Sequence, residues 1–561
     1  MTFDLLIKDG TVVDGSGSPR FHADIGIKEG RIAEIGKLSG TAKEKINADG
    51  LVVAPGAVDV HTHYDAQVCW DRVLATSAAH GTTTVIQGNC GVGIAPCRPR
   101  DREISLRDLV VLEGMSYEVM DTGIEWAFET FPEYIDLMRR RGLGINVASL
   151  VPLSSLRRYT LGDEASKRAA TPAERAEMAQ NLQQAMEAGA FGFSSTMVRR
   201  QVGHEGNPLP CQLADEAELK AYANVLRELG RGAIQANVVE SIARPTDAEL
   251  AIIDLLLDAS GGRPVTYSGA MWRNDDPGAV EQMLRKCERL RKRGAMPQST
   301  IMPLTIELDM RNPMVMGDCP AFKKLLSRTV EEQKQLYNDP AWRAQAKQEL
   351  TTGRKQFGAV WASSIVLRVE NEKMKPLLYR SITDIAKERG ADPFNTMIDL
   401  ALEDNLELKF LGEIVNTSME HLRNHIKDPR VMLGLHDAGA HVDMMFHAGF
   451  PTYMLGKWVR EEHAIELEQA VRRITAEPAE YFGFKDRGLI ASGKAADLMI
   501  FDPETVGCPH RPDKVLYDLP AGGMRLYSTP KGMEHLVVNG EILYRDEIYT
   551  GARPGQIVDG R

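Results

Sequence analysis

Apolar and polar positions alternate in short runs at both ends of the chain. Alternation with a period of two predicts half-buried strands, and Asp9-Gly10 between two of the runs is a hairpin signal. The runs lie at residues 5–10, 11–15, 24–27 and 31–36 near the N-terminus, and at residues 496–501 and 535–543 near the C-terminus. We therefore predict one small β domain built from residues 1–54 and 485–561. Two unrelated β appendages are the alternative.

The middle of the chain, residues 55–484, has a different pattern, in which short apolar runs alternate with amphipathic stretches of helical period. Repeated β-then-α units predict parallel strands joined by right-handed crossovers, and eight such units closed into a barrel fit the length. The fold class is therefore α/β, a (β/α)8 TIM-like barrel with a small β domain. The strands are predicted at residues 144–151, 192–194, 233–237 and 265–268, and the helices at residues 172–188, 214–229 and 247–259.

Residues 270–370 interrupt this alternation. They include a polar, charged stretch with a helical pattern from residue 328 to about residue 352. We interpret the region as an insertion in the barrel, either a lid or a contact between protomers.

The composition is that of an acidic globular protein. The chain has 561 residues, of which 43% are hydrophobic, enough for a large core and two or three structural units. The net charge of -11 and the lack of a basic stripe argue against nucleic acid as a partner. No apolar run approaches the roughly 18 residues that cross a bilayer, and the first residues lack the pattern of a secretory signal. Seven cysteines without framework spacing indicate a reducing cytoplasm, so we expect a cytoplasmic protein with a small-molecule substrate; a homo-oligomer is left open.

Two histidines separated by one residue follow the first apolar run of the middle region. Residues 57–60 predict a short buried strand, and side chains two residues apart on a strand point to the same side. His61 and His63 therefore project together from the end of the strand, which is how two imidazoles reach one metal ion. The alternative is a pair of histidines that bind no ligand.

Several segments, spread from residue 4 to about residue 555, resemble one enzyme family. Residues 55–63 resemble the first barrel strand of the amidohydrolase superfamily, which holds a divalent metal on such a His-x-His pair. Residues 81–91 resemble the N-acyl-D-amino-acid deacylase (D-aminoacylase) branch, which has a cysteine where many relatives have a carbamylated lysine. The family pattern also implies that the small β domain is a β-sandwich built from both termini. Further matching segments are residues 192–195, 434–441 and 494–503.

The resemblance implies a metal site at the carboxyl ends of the barrel strands. A catalytic zinc takes histidine, cysteine and carboxylate ligands and lowers the pKa of water bound to it. Asp437 would also move the proton during hydrolysis and is the predicted catalytic residue. From the residues alone, Asp437 could instead cap the next helix, and Cys90 could be an inert buried thiol. The implied metal ligands are His61, His63, Cys90 and Asp437.

Two metal-binding histidines of the resembled family are absent from this chain. Asn237 stands in place of the histidine of the fifth strand, and Gly269, which follows Ser268, stands in place of that of the sixth. We therefore expect one zinc ion, or two with the second held by other groups. The candidates for such groups are Glu240, His204, His436 and His441.

The segment that would hold the substrate also departs from the family. Residues 447–450, His-Ala-Gly-Phe, lack the arginine that binds the carboxylate of a D-amino acid in the family, and Arg199 stands where a tyrosine is expected. Arg199, Arg200 or Arg273 could bind an anion from another side. The predicted substrate-binding residues are Arg199, Asn237, Ser268, His204 and His441.

These observations predict a metal-dependent hydrolase that cleaves an amide bond with metal-activated water. The substrate is expected to differ from the family's usual N-acyl-D-amino acid. The alternatives are a lactone or ester hydrolase with the same site, and a catalytically inactive barrel that binds a ligand.

Overall fold

Parallel strands form the central sheet of the protein. The computed structural model describes residues 2–313, 316, 319–326, 328–352 and 360–560. The sheet closes where Thr62 pairs with Ala438 and the His63 N–H donates to the Ala438 carbonyl over 2.8 Å. The predicted (β/α)8 barrel is confirmed. Within the described residues its eight strands neighbour one another in chain order: Ala57–Thr62, Thr82–Gln87, Asn146–Pro152, Gly192–Thr196, Ala233–Asn237, Val265–Tyr267, Ala295–Ser299 and Met432–Leu433.

Helices follow the barrel strands and cover the sheet. The three helices predicted from periodicity are Pro172–Ala188, Glu216–Leu229 and Asp247–Ser260. Each starts after a Thr or Asp whose side chain accepts a backbone N–H three residues later, an N-cap that satisfies an otherwise unpaired donor. The other helices around the barrel are Ala75–Ala78, Arg102–Glu113, Tyr117–Gly123, Phe131–Arg141, Leu153–Leu161, Ala279–Lys286, Glu288–Arg291, Met419–His425, Phe450–Tyr453, the π-helix Met454–Glu461, Leu467–Ile474 and Ala476–Phe482.

A second sheet draws its strands from both ends of the chain. The strand Val52–Pro55 pairs in parallel with Thr2–Val12 and antiparallel with Leu498–Phe501, so the two ends of the chain meet in one sheet. The boundaries of the predicted β domain stay predictions, and its outermost residues, Met1 and Arg561, lie outside the described residues. The other strands of this sheet are Phe21–Lys28, Arg31–Gly36, Thr41–Asn47, His535–Val538, Glu541–Arg545 and Ile548–Tyr549.

A short hairpin from the C-terminal part reaches back to the barrel. Its strands, Lys514–Leu516 and Arg525–Tyr527, pair antiparallel. The Leu526 N–H donates to the carbonyl of Val442, which lies in the loop after the last barrel strand. The hairpin thereby brings residues 517–524 to the carboxyl end of the barrel.

The predicted insertion at residues 270–370 differs from the observed one. Ala295–Ser299 is the seventh barrel strand, and the separate layer instead runs from Leu304 to Val415, with residues 314–315, 317–318, 327 and 353–359 outside the description. The sequence Ala-Met-Pro-Gln-Ser is too polar and too short to show a strand pattern. The layer consists of the strands Leu304–Asp309, Ile365–Arg368 and Lys409–Val415 and the helices Pro320–Lys323, Val330–Asn338, Pro340–Thr351, Ile382–Arg389 and Pro393–Glu403.

The charged helix predicted from residue 328 to about residue 352 is two helices. Pro340 opens the second one after the N-cap Asp339, because proline fits the first turn of a helix but not its interior. None of the helices in the described part of the chain is both long and apolar enough to cross a membrane.

Candidate metal centre

Three buried side chains meet at the carboxyl end of the barrel. His61 and His63 project from the end of the first strand, and Cys90 follows the second strand. One potential ligand atom from each of these residues lies within 4.8 Å of the others. His61 Nε2 and Cys90 Sγ are 3.3 Å apart. The sequence-predicted histidine pair and cysteine are therefore brought together in one cluster.

Asp437 follows the last barrel strand and lies beside the two histidines, on the side of the cluster that is accessible to solvent. Its Oδ1 lies 3.2 Å from His61 Nε2 and 3.5 Å from His63 Nε2. Its side chain is 19% exposed, whereas those of the two histidines are at most 2% exposed. Among the described residues, Asp437 Oδ1 has no hydrogen-bond partner. The carboxylate can therefore face both the cluster and a bound molecule.

The spacing of these atoms fits a zinc ion. Bonds of about 2.0–2.3 Å in a tetrahedral arrangement place neighbouring ligand atoms about 3.3–3.8 Å apart. Three of the six separations among the four groups are 3.2, 3.3 and 3.5 Å, in or close to this range. The donor set, two imidazoles with a thiol and a carboxylate, is also one that zinc prefers.

The charges in the cluster favour a cation at its centre. Burial alone would raise the pKa of the Cys90 thiol, but His61 and His63 lower it to about 6. Burial opposes ionisation of Asp437 too, yet the same two histidines hold the pKa of this carboxyl well below its usual range. Burial alone would lower the pKa of the two imidazoles, but the anionic side chains around them raise the pKa of both above the usual value.

The loop that carries Cys90 is fixed by close contacts. Asn89 donates its side-chain amide to the carbonyls of Thr62 and Ile86, which ties the loop to the first two strands. A side chain at Gly91 would approach the Ser195 Cα to 2.8 Å, so only glycine fits there. These contacts hold the thiol beside the histidines.

Strained backbone accompanies the cluster. Cys90, Asp437 and His441 have φ values of 58°, 47° and 50°, in the left-handed region that non-glycine residues rarely adopt. Each costs about 1–3 kcal/mol, and such strain tends to occur at functional sites.

Amide side chains support the cluster from behind. His61 Nδ1 donates to Gln298 Oε1 over 2.7 Å, which leaves Nε2 with its lone pair directed to the cluster. Asn237 Nδ2 donates to Cys90 Sγ over 3.1 Å, and Gln235 Nε2 donates to Asn237 Oδ1 over 2.8 Å. Asn237 was predicted to bind substrate. Its Nδ2 and its Oδ1 both form hydrogen bonds within the protein.

Glu113 is a component of the site that sequence reasoning missed. It is the last residue of the helix Arg102–Glu113 and is 3% exposed. Its Oε1 lies 3.6 Å from His63 Nδ1 and its Oε2 lies 3.7 Å from His441 Nε2. Burial raises the pKa of this carboxyl to about 8. A carboxylate in the last turn of a helix interacts unfavourably with the helix dipole. This unfavourable placement was the signal in the sequence that could have pointed to Glu113.

Comparison with known proteins identifies the family. Residues 44–544 match the amidohydrolase family. This chain belongs to the amidohydrolase family. The match confirms the predicted enzyme class, hydrolases of carbon–nitrogen bonds other than peptide bonds.

Individual relatives cover the whole length of this amidohydrolase. It is 26% identical to a D-aminoacylase of Alcaligenes xylosoxydans xylosoxydans over 99% of this chain and 97% of the relative. It is 28% identical to an N-acyl-D-glutamate deacylase of the same organism over 99% and 96% of the two chains.

A solved structure has the same fold over its full length. It is an N-acyl-D-glutamate deacylase from Bordetella bronchiseptica, complexed with zinc and a phosphonate inhibitor that mimics the tetrahedral intermediate. The TM-score is 0.66 at 26% identity, and the alignment covers 100% of both chains. A zinc-binding relative of this fold agrees with the divalent metal expected here.

The remaining predicted site residues of the amidohydrolase lie in different places. His441 is 25% exposed beside Glu113 at the edge of the cluster. His204, a predicted site residue, lies on the short turn His204–Gly206, where its backbone N–H donates to Asp108 and its Nε2 lies 3.9 Å from Glu205 Oε1; its part in the site stays a prediction. Local sequence pattern does not show where this turn lies in the folded protein.

The other candidates for a second metal are engaged elsewhere. Glu240 accepts the backbone N–H groups of Arg199 and Arg200 over 2.8 and 3.2 Å. His436 is fully buried, stacks on Phe450 and lies 3.3 Å from Asp59. These contacts engage both residues within the protein, and their part in a second metal site stays a prediction.

A large cleft of about 980 Å³ lies between the barrel and the inserted layer. Ser268 lines it next to Gly269, at the carboxyl end of the sixth strand. Arg200 and Arg273 also line the cleft, whereas Arg199 does not; Arg199 and Arg200 are both exposed. Arg273 is paired with Asp275 over 2.6 Å. Of the three arginines singled out from the sequence, Arg200 and Arg273 therefore reach the cleft.

Proposed function

We propose that this amidohydrolase cleaves an amide bond of a small molecule at the cluster of His61, His63, Cys90 and Asp437, with one divalent metal as cofactor. The observation that carries the proposal is the cluster of His61, His63 and Cys90, whose ligand atoms lie within 4.8 Å of one another, with Asp437 3.2 and 3.5 Å from the two imidazoles. A zinc ion bound there would polarise the scissile carbonyl and lower the pKa of the attacking water.

Asp437 is proposed as the group that moves the proton. The histidines keep its carboxylate ionised, and its partial exposure lets it meet a water and a substrate. As the water oxygen bonds to the carbonyl carbon, Asp437 accepts the water proton and then passes it to the leaving nitrogen when the C–N bond breaks. The products are a carboxylic acid and an amine.

The other residues are proposed to hold this geometry. Gln298 fixes the ring of His61, and Asn237 donates to the Cys90 sulfur. Glu113 lies behind His63 and beside His441, where it can orient both rings. Ser268 and His441 remain proposed substrate contacts at the rim.

A single ion is proposed because the second set of ligands is incomplete. Gly269 has no ligand atom, and its φ of +122° would strain any side chain placed there. Asn237, at the other position, uses its amide to contact Cys90 and Gln235.

The proposed substrate is a small molecule and the proposed location is the cytoplasm. All seven cysteines are free thiols, the state that a reducing compartment maintains.

Metal analysis combined with an amide panel tests the proposal. We expect about one zinc per chain after purification, loss of amide hydrolysis on chelation, and recovery with one equivalent of zinc. Two tightly bound ions per chain would contradict the single-ion site. A metal-loaded protein that hydrolyses lactones or esters but no amide, or nothing in the panel, would contradict the amidase assignment.

Free-carboxylate N-acyl-D-amino acids should be poor substrates relative to neutral amides. The family's carboxylate-binding arginine is absent from residues 447–450, and a buried carboxylate without a charged partner is costly. Loss of a bidentate arginine contact should reduce kcat/KM about 30- to 1000-fold. The measurement compares N-acetyl-D-methionine with its carboxamide.

The arginines of the cleft supply the controls for this comparison. A preference for the free acid that disappears in Arg200→Ala or Arg273→Ala, but persists in Arg199→Ala, whose side chain does not line the cleft, would show that the cleft binds the carboxylate. That result would overturn the prediction.

A further inference from the structure

The first and last barrel strands meet along a seam that the backbone spans at few points. The last strand, Met432–Leu433, is two residues long and pairs with the seventh strand. Among the described residues, the first and last strands share no ladder of their own, and the Thr62–Ala438 bridge lies beyond the end of the last strand. The Asp437 N–H also donates to the His61 carbonyl over 3.1 Å. The position of Asp437 relative to His61 therefore also depends on the side chains that cross the seam.

A buried pair of side chains crosses the seam. His436, the residue before Asp437, places its Nδ1 3.3 Å from Oδ1 of Asp59 on the first strand, and both side chains are 0% exposed. Because a carboxylate oxygen accepts hydrogen bonds, Nδ1 carries the hydrogen and donates to Asp59. The same Asp59 oxygen accepts the backbone N–H of His61 over 3.3 Å. One carboxylate oxygen thus joins the neighbour of Asp437 to the backbone of His61.

The backbone is irregular on both sides of this pair. The register of the first strand against the second shifts between Asp59 and Thr62. Leu435 and Asp437, which flank His436, have φ values of 52° and 47°, in the left-handed region that non-glycine residues rarely adopt. Register shifts re-aim side chains, and left-handed residues persist only where the surrounding contacts hold them. The pair lies where such contacts are needed.

The ring of His436 is also held from its face. Phe450 stacks on it, with the ring centroids 3.9 Å apart and the ring planes 6° apart. Phe450 is 1% exposed and begins the helix Phe450–Tyr453. With its edge bonded to Asp59 and its face against Phe450, the His436 ring is fixed in position, and so is the backbone that leads into Asp437.

Filling space in the core does not explain a histidine at this position. An apolar side chain of similar size would fill the same space without the cost of burying a polar ring. His436 Nε2 is buried and, in the described part of the chain, has no hydrogen-bond partner. The ring therefore leaves one polar atom unsatisfied while the other bonds to Asp59. Such a cost is expected where the bond to Asp59 serves a function.

We propose that His436, held by Asp59 and Phe450, is a positioning residue that places Asp437 beside His61. This inference rests on the proposed role of Asp437 in amide hydrolysis. Residues that support metal ligands typically contribute about 10- to 100-fold to activity or metal affinity. Because His436 is fully buried and touches no substrate, loss of its bond to Asp59 should lower kcat and leave KM close to native.

Two variants of His436 separate its hydrogen bond from its ring. His436→Phe keeps a ring against Phe450 but removes the donor, and should lower kcat about 10- to 100-fold with KM within about twofold of native. His436→Asn places an amide donor where Nδ1 lies and should restore kcat to within about fivefold of native. His425→Phe is the matched control, a 3% exposed histidine at the end of the helix Met419–His425, and should leave kcat and KM unchanged.

Cobalt(II) in place of zinc gives a measurement that does not depend on turnover. The visible absorption of a protein-bound cobalt ion reports the number and geometry of its ligands. Displacement of Asp437 should change the spectrum of His436→Phe, whereas His436→Asn and His425→Phe should match the native protein. A lower midpoint of thermal unfolding with a native spectrum and native kcat would show that His436 only stabilises the fold, and would overturn the inference.

Combining His436→Phe with Asp437→Asn tests whether His436 acts through Asp437. Asp437→Asn removes the proton acceptor, so the placement of this side chain then matters little for proton transfer. Adding His436→Phe should change the residual kcat by less than about twofold, because the effects of residues that act as a unit are not additive. A further loss of about tenfold or more would show that His436 does not act through Asp437.

A second position keeps the test decisive where His436→Phe does not fold. Asp59→Asn has the shape of the native side chain, but a neutral acceptor forms a weaker hydrogen bond, so kcat should fall about 3- to 10-fold at native KM. A native kcat together with a native cobalt spectrum in Asp59→Asn would contradict the proposed positioning.

The cobalt spectra also distinguish this inference from the proposed function. A native protein that binds metal but hydrolyses no amide would reject the amidase. In that protein, an altered spectrum in His436→Phe would still support the placement of Asp437 by His436, and a native spectrum would reject it.

Discussion

Replacing His61 with alanine should lower kcat/KM by a thousandfold or more, on the order of several kcal/mol of barrier. His61 contacts both Cys90 and Asp437, so its loss removes one of the two imidazoles that lie against the thiol and the carboxylate. Asp437→Asn should have a similar effect, because the amide keeps the shape of the carboxylate but cannot accept the proton. The measurement is steady-state hydrolysis of the best amide substrate.

The fold should survive both changes. Asp437→Asn is isosteric, and the exposed variant His22→Ala provides a histidine control on the outer sheet. Circular dichroism and thermal unfolding should be close to native for all three proteins. Near-native turnover in His61→Ala or Asp437→Asn would reject the assignment of the cluster as the active site.

Cys90→Ala should weaken zinc binding about a hundredfold or more. The thiolate is the softest ligand of the set, and zinc prefers it. The histidines already favour the ionised thiol by lowering its pKa to about 6. Competition against a chelator of known affinity measures the loss.

Variants of two other residues test how Cys90 is held. Asn237→Ala removes the donor to the sulfur and should cost a smaller factor, about 10- to 100-fold. Cys508→Ala, a half-buried cysteine that contacts the Gly449 carbonyl, is the matched control and should bind zinc as the native protein does. Native zinc affinity in Cys90→Ala would show that the metal is held without the thiol.

The local sequence pattern was sufficient to predict features that depend only on a residue and its neighbours along the chain. The His61-x-His63 pair lies on one side of a strand because of the period of two. The helix Pro172–Ala188 begins at its Thr171 cap because the capping contacts are only three residues long. The family resemblance added Cys90 and Asp437, and the structure places both beside the histidines.

The tertiary structure decided the features that depend on long-range contacts. Ala295–Ser299 becomes a barrel strand because its neighbours in the sheet supply the hydrogen bonds, although its sequence lacks a strand pattern. The turn that carries His204 is held by Asp108, ninety-six residues earlier in the chain, a contact that local pattern does not show.

Within the site, the contacts of Glu113 and Asn237 also depend on residues far away in the sequence. Glu113 reaches His63, fifty residues earlier in the chain, because the helix that carries it packs over the barrel end. Asn237 donates to the Cys90 sulfur across two strands of the closed sheet. The sequence by itself determined the barrel and the chemical types of the ligands, since these follow from periodicity and matched motifs. Which side chains support those ligands was decided only by barrel closure and loop packing, because these contacts join residues with no local relation in the sequence.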